Sequence, residues 1–145
     1  MTDHASKGGT RTYKERMVKE HGLPETHFRK FAGLTMSSMG MGTYLGGLDE
    51  KTDELVINAV KTSIERGMNV IDTAINYRHQ RAERSIGEAL TDLPRMGLER
   101  KNVFLSTKVG YVPGDADKGL NARSYIRKVL LKENVVSKEE IIGMN

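Results

Sequence analysis

The chain has 145 residues, a formal charge of +4 and no cysteine, which excludes a disulfide framework, a Cys-ligated zinc and a thiol nucleophile. Its composition is 37% hydrophobic, enough for one packed domain. No apolar run approaches the roughly 20 residues a membrane-spanning helix needs, and Met1-Thr2-Asp3-His4 opens no apolar signal core, so no membrane partner and a cytoplasmic location are expected. Residues 1–33 carry 7 Lys/Arg against 4 Asp/Glu, and the rest 16 against 15; without a concentrated basic patch in the body, no nucleic-acid partner is expected.

Taken in chain order, residues 1–25 read as a basic leader, punctuated by Gly22 and Pro24, whose sequence leaves open whether it docks on the rest or stays flexible. Residues 26–145 form the body. Phe28 to Phe31 and Leu34 to Ser38 predict a hairpin around Ala32-Gly33, and Met39 to Tyr44 a third extended piece. Asp49 or Thr52 can cap the next helix, where Leu55, Val56, Ala59, Val60 and Ile64 recur at helical spacing. Arg66 falls in its last turn and Gly67 is the expected residue after the cap. Met68 to Thr73 reads as a short strand, Arg81 to Leu93 as a helix, and Val103 to Thr107 as another strand. Strand and helix thus alternate, which predicts a parallel sheet with crossover helices. Gly110 to Gly119 is a long loop, and Ala122 to Lys132 predicts a helix. Ser137-Lys138-Glu139-Glu140 fits a capping box, with only Ile141-Ile142 behind it before the chain stops at Asn145.

Two charged residues, Asp72 and Lys108, end short apolar strands. In parallel βα folds that edge is where loops converge into active sites. Adjacent strands would let Asp72 and Lys108 form a partly buried ion pair, and Tyr77 follows on the loop above the same edge. A tyrosine is a poor acid at neutral pH, with a pKa of about 10. A neighbouring ammonium favours its phenolate, and a carboxylate keeps that ammonium in place. Such a tyrosine can protonate a carbonyl oxygen as a hydride reaches carbon, and the hydride requires a cofactor. Each residue also has an ordinary reading: Asp72 as a cap, Lys108 as a solvated charge, Tyr77 as a loop anchor. No cluster of metal-ligating residues is evident, so no metal is expected.

Gly67-Met68-Asn69-Val70-Ile71-Asp72-Thr73-Ala74-Ile75-Asn76-Tyr77, continued by Glu83-Arg84-Ser85-Ile86-Gly87, resembles the signature of the aldo-keto reductase family. Gly40-Met41-Gly42-Thr43-Tyr44 resembles the first barrel strand of that family, and Phe104-Leu105-Ser106-Thr107-Lys108 the third. The four motifs run in order over about residues 27–110. The resemblance implies an α/β fold of the (β/α)8 TIM-barrel type. This chain would hold its N-terminal hairpin and about three βα units of an incomplete barrel. It implies NAD(P)H-dependent reduction of a small aldehyde or ketone, with NADPH ahead of NADH. Tyr77 would be the proton donor, Lys108 would lower its pKa, and Asp72 would pair with Lys108 near the nicotinamide. Gly42, Thr43 and Tyr44 would line the cofactor and substrate pocket, while Glu83 and Gly87 would set the second helix against its strand. Met68-Asn69 departs from the usual aromatic-basic pair without touching the catalytic set, and His79, in the basic run Arg78 to Ala82, is expected to face solvent. A complete barrel needs roughly 250 residues, and the family's catalytic histidine, on a fourth strand, has no counterpart here. These departures predict little reductase activity for the 145-residue chain alone and unpaired edges prone to self-association. The competing reading is a non-catalytic partial-barrel module completed by another chain.

Overall fold

The computed structural model describes residues 4–141. Its centre is a three-stranded parallel sheet in the order β3-β4-β5, with β3 at Met41–Gly42, β4 at Val70–Asp72 and β5 at Phe104–Ser106. Helix α2, Glu50–Glu65, connects β3 to β4, and α3, Arg81–Thr91, connects β4 to β5. The start of α2 is set by Asp49, which sits in extended backbone and accepts a hydrogen bond from the Thr52 amide at 2.9 Å. Glu50 and Asp53 place negative charge in its first turn, against the positive end of the helix dipole. The helix stops at Arg66, and Gly67 follows with φ +99°, a conformation in which a side chain would meet Leu23.

One face of each helix is apolar and buried: Val56, Val60 and Ile64 on α2, Ala82, Ile86 and Ala89 on α3. They close over Ile71 and Val103 at the sheet. Each fully buried aliphatic side chain contributes about 2 kcal/mol relative to exposure. Pro94 sits in a 3-10 turn, Leu93–Met96, beyond α3, as expected of a residue that cannot continue the ladder.

A two-stranded antiparallel hairpin, β1 Phe28–Phe31 and β2 Leu34–Ser37, lies beneath the sheet. Its register pairs Phe31 with Leu34 and Phe28 with Ser37, leaving Ala32-Gly33 as a two-residue turn with both φ positive. Asn69, fully buried just before β4, ties hairpin to sheet. Its side chain accepts from the Ser37 amide at 2.8 Å and donates to the carbonyls of Thr35 and Asn102 at 3.0 and 3.2 Å.

Two expectations are corrected, and one that the sequence leaves open is decided. The basic leader contains a 15-residue helix, α1, Lys7–His21, capped by Ser6 and closed by left-handed Gly22. It is docked rather than loose: Tyr13 and Met17 are buried in the same core, and the Tyr13 hydroxyl donates to the Ile64 carbonyl at 2.5 Å. The helix expected over residues 122–132 is one α turn, α4 at Ala122–Tyr125, running into a π turn over Ile126–Leu130, with only Ile126 buried. The Ser137 capping box is half made. The Glu140 carboxylate accepts from the Ser137 amide at 2.8 Å, but the residues form a turn, not a helix, and Ile142 lies outside the described residues.

Candidate active site

The parallel register aligns Asp72 with Gly42 on one side and Ser106 on the other. Beyond the strands the ladder continues, from the Thr73 amide to the Ser106 carbonyl at 2.9 Å and from the Ile75 amide to the Lys108 carbonyl at 3.1 Å. Lys108 is thereby carried alongside the end of β4. Its Nζ donates to Asp72 Oδ2 at 2.7 Å and to the Thr73 carbonyl at 2.6 Å. The pair is half-exposed, 50% and 44%, rather than buried, because both side chains stand on the open rim of the sheet. The Asp72 carboxylate holds the Lys108 ammonium pKa above its ordinary value, desolvation opposes, and the Tyr77 hydroxyl adds to the rise.

Tyr77 reaches the same spot from the turn after β4, where its amide donates to the Ala74 carbonyl at 3.0 Å. Lys108 Nζ lies 5.1 Å from the centre of the Tyr77 ring, a cation–π distance. The Tyr44 ring meets Tyr77 edge to face, with centroids 5.1 Å apart. Asp72, Tyr77 and Lys108, singled out from the sequence, therefore converge, with Gly42 and Tyr44 at the same edge. A Cβ on Gly42 would meet nothing within 4 Å, so the face over β3 is open. Thr43 stands differently. It is buried, and both its amide and hydroxyl donate to the Asp72 carbonyl, at 3.1 and 3.2 Å. An apolar groove of about 510 Å³ runs beside this edge between β3 and α2, lined by Gly42, Tyr44, Leu45, Leu55 and Ala59 among others.

Glu83 accepts from the Thr107 hydroxyl at 2.5 Å, tying α3 to the end of β5. Gly87 makes no corresponding close approach; it is exposed and a Cβ there would meet nothing. His79 is exposed. Among the described residues, no group of three or more His, Asp or Glu is placed to hold a metal ion, and no helix is long and apolar enough to cross a membrane.

The sequence reading overlooked the salt-bridge layer beneath the site. Arg78, in the basic run beside His79, has a side chain 1% exposed, with Nη2 2.6 Å from Asp53 Oδ1. Arg81 and the Ser85 hydroxyl share that carboxylate. Also from α3, Arg84 clasps Asp115 through two bonds of 2.9 and 3.0 Å, which tethers the loop after β5. The available signal was partial: Arg81 and Ser85 stand four apart on α3 and Asp53 lies in the first turns of α2, but Arg78 precedes the helix in left-handed backbone, where no helical spacing rule applies.

The profile of the Aldo/keto reductase family matches residues 38–134. Methylglyoxal reductase YeaE of Escherichia coli (strain K12) is 35% identical over 94 residues, which are 64% of this chain and 31% of that protein. A probable voltage-gated potassium channel subunit beta of Arabidopsis thaliana is 30% identical over 99 residues, 66% of this chain and 28% of that protein. Aldo-keto reductase YhdN of Bacillus subtilis (strain 168) is 32% identical over 82 residues, 52% of this chain and 23% of that protein. The chain spans less than a third of the length of these relatives.

Proposed function

The chain belongs to the aldo/keto reductase family, and on that premise we propose that the full-length protein reduces small aldehydes or ketones, with Tyr77 as the proton donor, Lys108 and Asp72 as its charge partners, and a (β/α)8 barrel as its fold. A reduced nicotinamide, the cofactor type the family generally uses, supplies the hydride; we take NADPH ahead of NADH. Gly42, Tyr44 and Asp72 would hold its nicotinamide end. The fit is supported by Gly42, whose missing side chain leaves open space for a flat ring at the rim. Thr43 contributes by holding the Asp72 carbonyl from inside.

In this reading the carbonyl oxygen sits against the Tyr77 hydroxyl. As hydride arrives at carbon, the phenolic O–H breaks and a new O–H forms on the substrate, giving an alcohol. The phenolate left behind faces the Lys108 ammonium, which lowers the cost of that charge until water restores the proton. Asp72 keeps the ammonium charged and aimed. The observation that carries the reading is the Lys108–Asp72 contact of 2.7 Å with the Tyr77 ring 5.1 Å from the same nitrogen. The relative named as a methylglyoxal reductase makes a small 2-oxoaldehyde the first substrate to assay.

The test is Tyr77→Phe in the full-length protein, which keeps the ring and removes the proton. A fall in kcat of about a hundredfold or more is expected, with NADPH still quenching intrinsic fluorescence. Unchanged turnover would remove the assigned role. A second reading, a non-catalytic module completed through its sheet edges, is favoured by β3 and β5 being the outer strands of the described sheet. Size-exclusion chromatography with the same quenching titration separates the two, since assembly without cofactor binding supports the module.

A further inference from the structure

We propose that Arg78 is a positioning residue that fixes the Tyr77 ring against Tyr44 and Lys108 by clamping two loops to the start of α2; its bearing on turnover rests on the reading of Tyr77 as proton donor.

The first observation is backbone strain. Tyr77 is followed by three consecutive non-glycine residues with left-handed backbone: Arg78 at φ +50°, His79 at +49° and Gln80 at +75°. L-residues disfavour that region, and a run of three persists only where surrounding contacts hold it. The contacts belong mainly to Arg78. Its side chain is 1% exposed. Nη2 binds Asp53 Oδ1 at 2.6 Å, Nε donates to the Gly47 carbonyl at 2.8 Å, and Nη1 lies 3.5 Å from the Ser85 hydroxyl. The Gln80 side-chain Nε2 adds a bond to the Gly114 carbonyl at 3.0 Å.

The second observation is which segments these bonds join. Gly47 belongs to the loop that carries Tyr44, and Arg78 is the immediate neighbour of Tyr77. A Cβ on Gly46 would lie 3.6 Å from Arg78 Nε, so the guanidinium packs directly under that loop. One buried side chain therefore sets the separation of the two segments whose rings meet edge to face at 5.1 Å. All its partners lie on α2, α3 and this loop, so it acts through Tyr77 and not on the carbonyl.

Asp53 would not be stranded by loss of Arg78, because Arg81 and Ser85 still share it. That makes Arg78→Met a usable variant. In the full-length protein, two readouts apply: nuclear Overhauser contacts between the Tyr44 and Tyr77 rings, and steady-state kinetics with methylglyoxal and NADPH. Arg78→Met is expected to lose the ring contacts and to lower kcat by about tenfold or more, with KM changed less than about threefold, since small misplacements of a reacting group cost this much. Arg78→Lys, whose single ammonium cannot serve Asp53 and Gly47 together, is expected to fall between. Ring contacts intact in a folded variant overturn the proposal, whatever turnover does. So does a lowered melting temperature with unchanged ring contacts and kcat. Where the methionine variant does not fold, the lysine variant carries the same readouts. Failure of the functional reading is seen separately, as undiminished turnover in Tyr77→Phe; the ring contacts then still decide whether Arg78 positions Tyr77.

Discussion

Asn69 decides more of this structure than its place in the sequence suggests. Its side chain satisfies the Ser37 amide and the Thr35 and Asn102 carbonyls, and its own amide donates to the Ser37 hydroxyl at 3.1 Å. It is fully buried, so replacing it leaves several backbone groups without water or a partner. Asn69→Ala is therefore expected to lower stability by about 3 kcal/mol or more, read as a shift of the urea midpoint with unchanged slope, although it stands at the opposite end of β4 from Asp72. The contrast with those residues explains what was legible. Asp72 and Lys108 stand out because each ends an apolar run, and strand ends in parallel sheets gather chemistry. Asn69 falls inside the predicted strand, Met68 to Thr73, near its start, where a polar residue attracts no notice. Its partners lie 32 to 34 positions away, a pairing that no local pattern records. The same holds for Arg78, whose charge suggests solvent and whose partner Asp53 is 25 positions distant.

At the scale of elements, helices α2 and α3 were readable because amphipathic spacing and caps are local, and their order then implied the parallel sheet. The hairpin turn was readable from Ala32-Gly33, but the register needed the pairing itself. Both turn residues have positive φ, +50° and +81°, which a type I′ turn demands and which alanine resists. Ala32→Asn is expected to raise stability by about 0.5–1 kcal/mol, measured as an increased urea midpoint, since the site is exposed and asparagine tolerates that backbone. The loop after β5 was legible as a loop but not as a tethered one. Asp115 is held there by Arg84, whose guanidinium is the largest cause keeping its carboxyl below the usual carboxylate range; burial opposes, and the Lys118 amide helps. A folded-state pKa below the unfolded one contributes stability that is complete above about pH 4 and is lost as pH falls through the lowered value. Amide protection over residues 113–120 is thus expected to fall on acidification before that of β4 and β5. Arg84→Gln should weaken it at neutral pH as well. Protection in the variant that matches the parent at neutral pH would show that the clasp does not hold the loop.

For the molecule as a whole, the decisive element is α1, and its sequence concealed it for a physical reason. Its buried face consists of Gly9, Thr10, Tyr13 and Met17, only two of them large and apolar, so hydropathy registers a polar segment. What docks it is close approach. A Cβ on Gly9 would collide with the Lys101 carbonyl, the Asn102 side chain donates to the Gly9 carbonyl at 2.9 Å, and the Thr10 hydroxyl accepts from the Thr35 amide at 3.0 Å. The basic residues are also engaged: Arg16 donates to the Met96 and Gly97 carbonyls, and Lys14 pairs with Glu25. The helix thus bridges the hairpin, the end of α2 and the turn before β5, closing the side of the core opposite the site. Tyr13 and Met17 alone contribute about 2 kcal/mol each by burial, before their hydrogen bonds and the surface they cover on Phe28, Ile64 and Leu98 are added. Removing residues 1–25 is therefore expected to lower the melting temperature by roughly 10 °C or more, or to leave the protein insoluble. A detachable leader would instead leave the melting curve in place. The milder Tyr13→Phe, which keeps the ring and loses the bond to the Ile64 carbonyl, separates packing from hydrogen bonding. It should cost about 1 kcal/mol, and a loss as large as that of the whole deletion would mean that this bond, rather than the docked face, holds α1 in place.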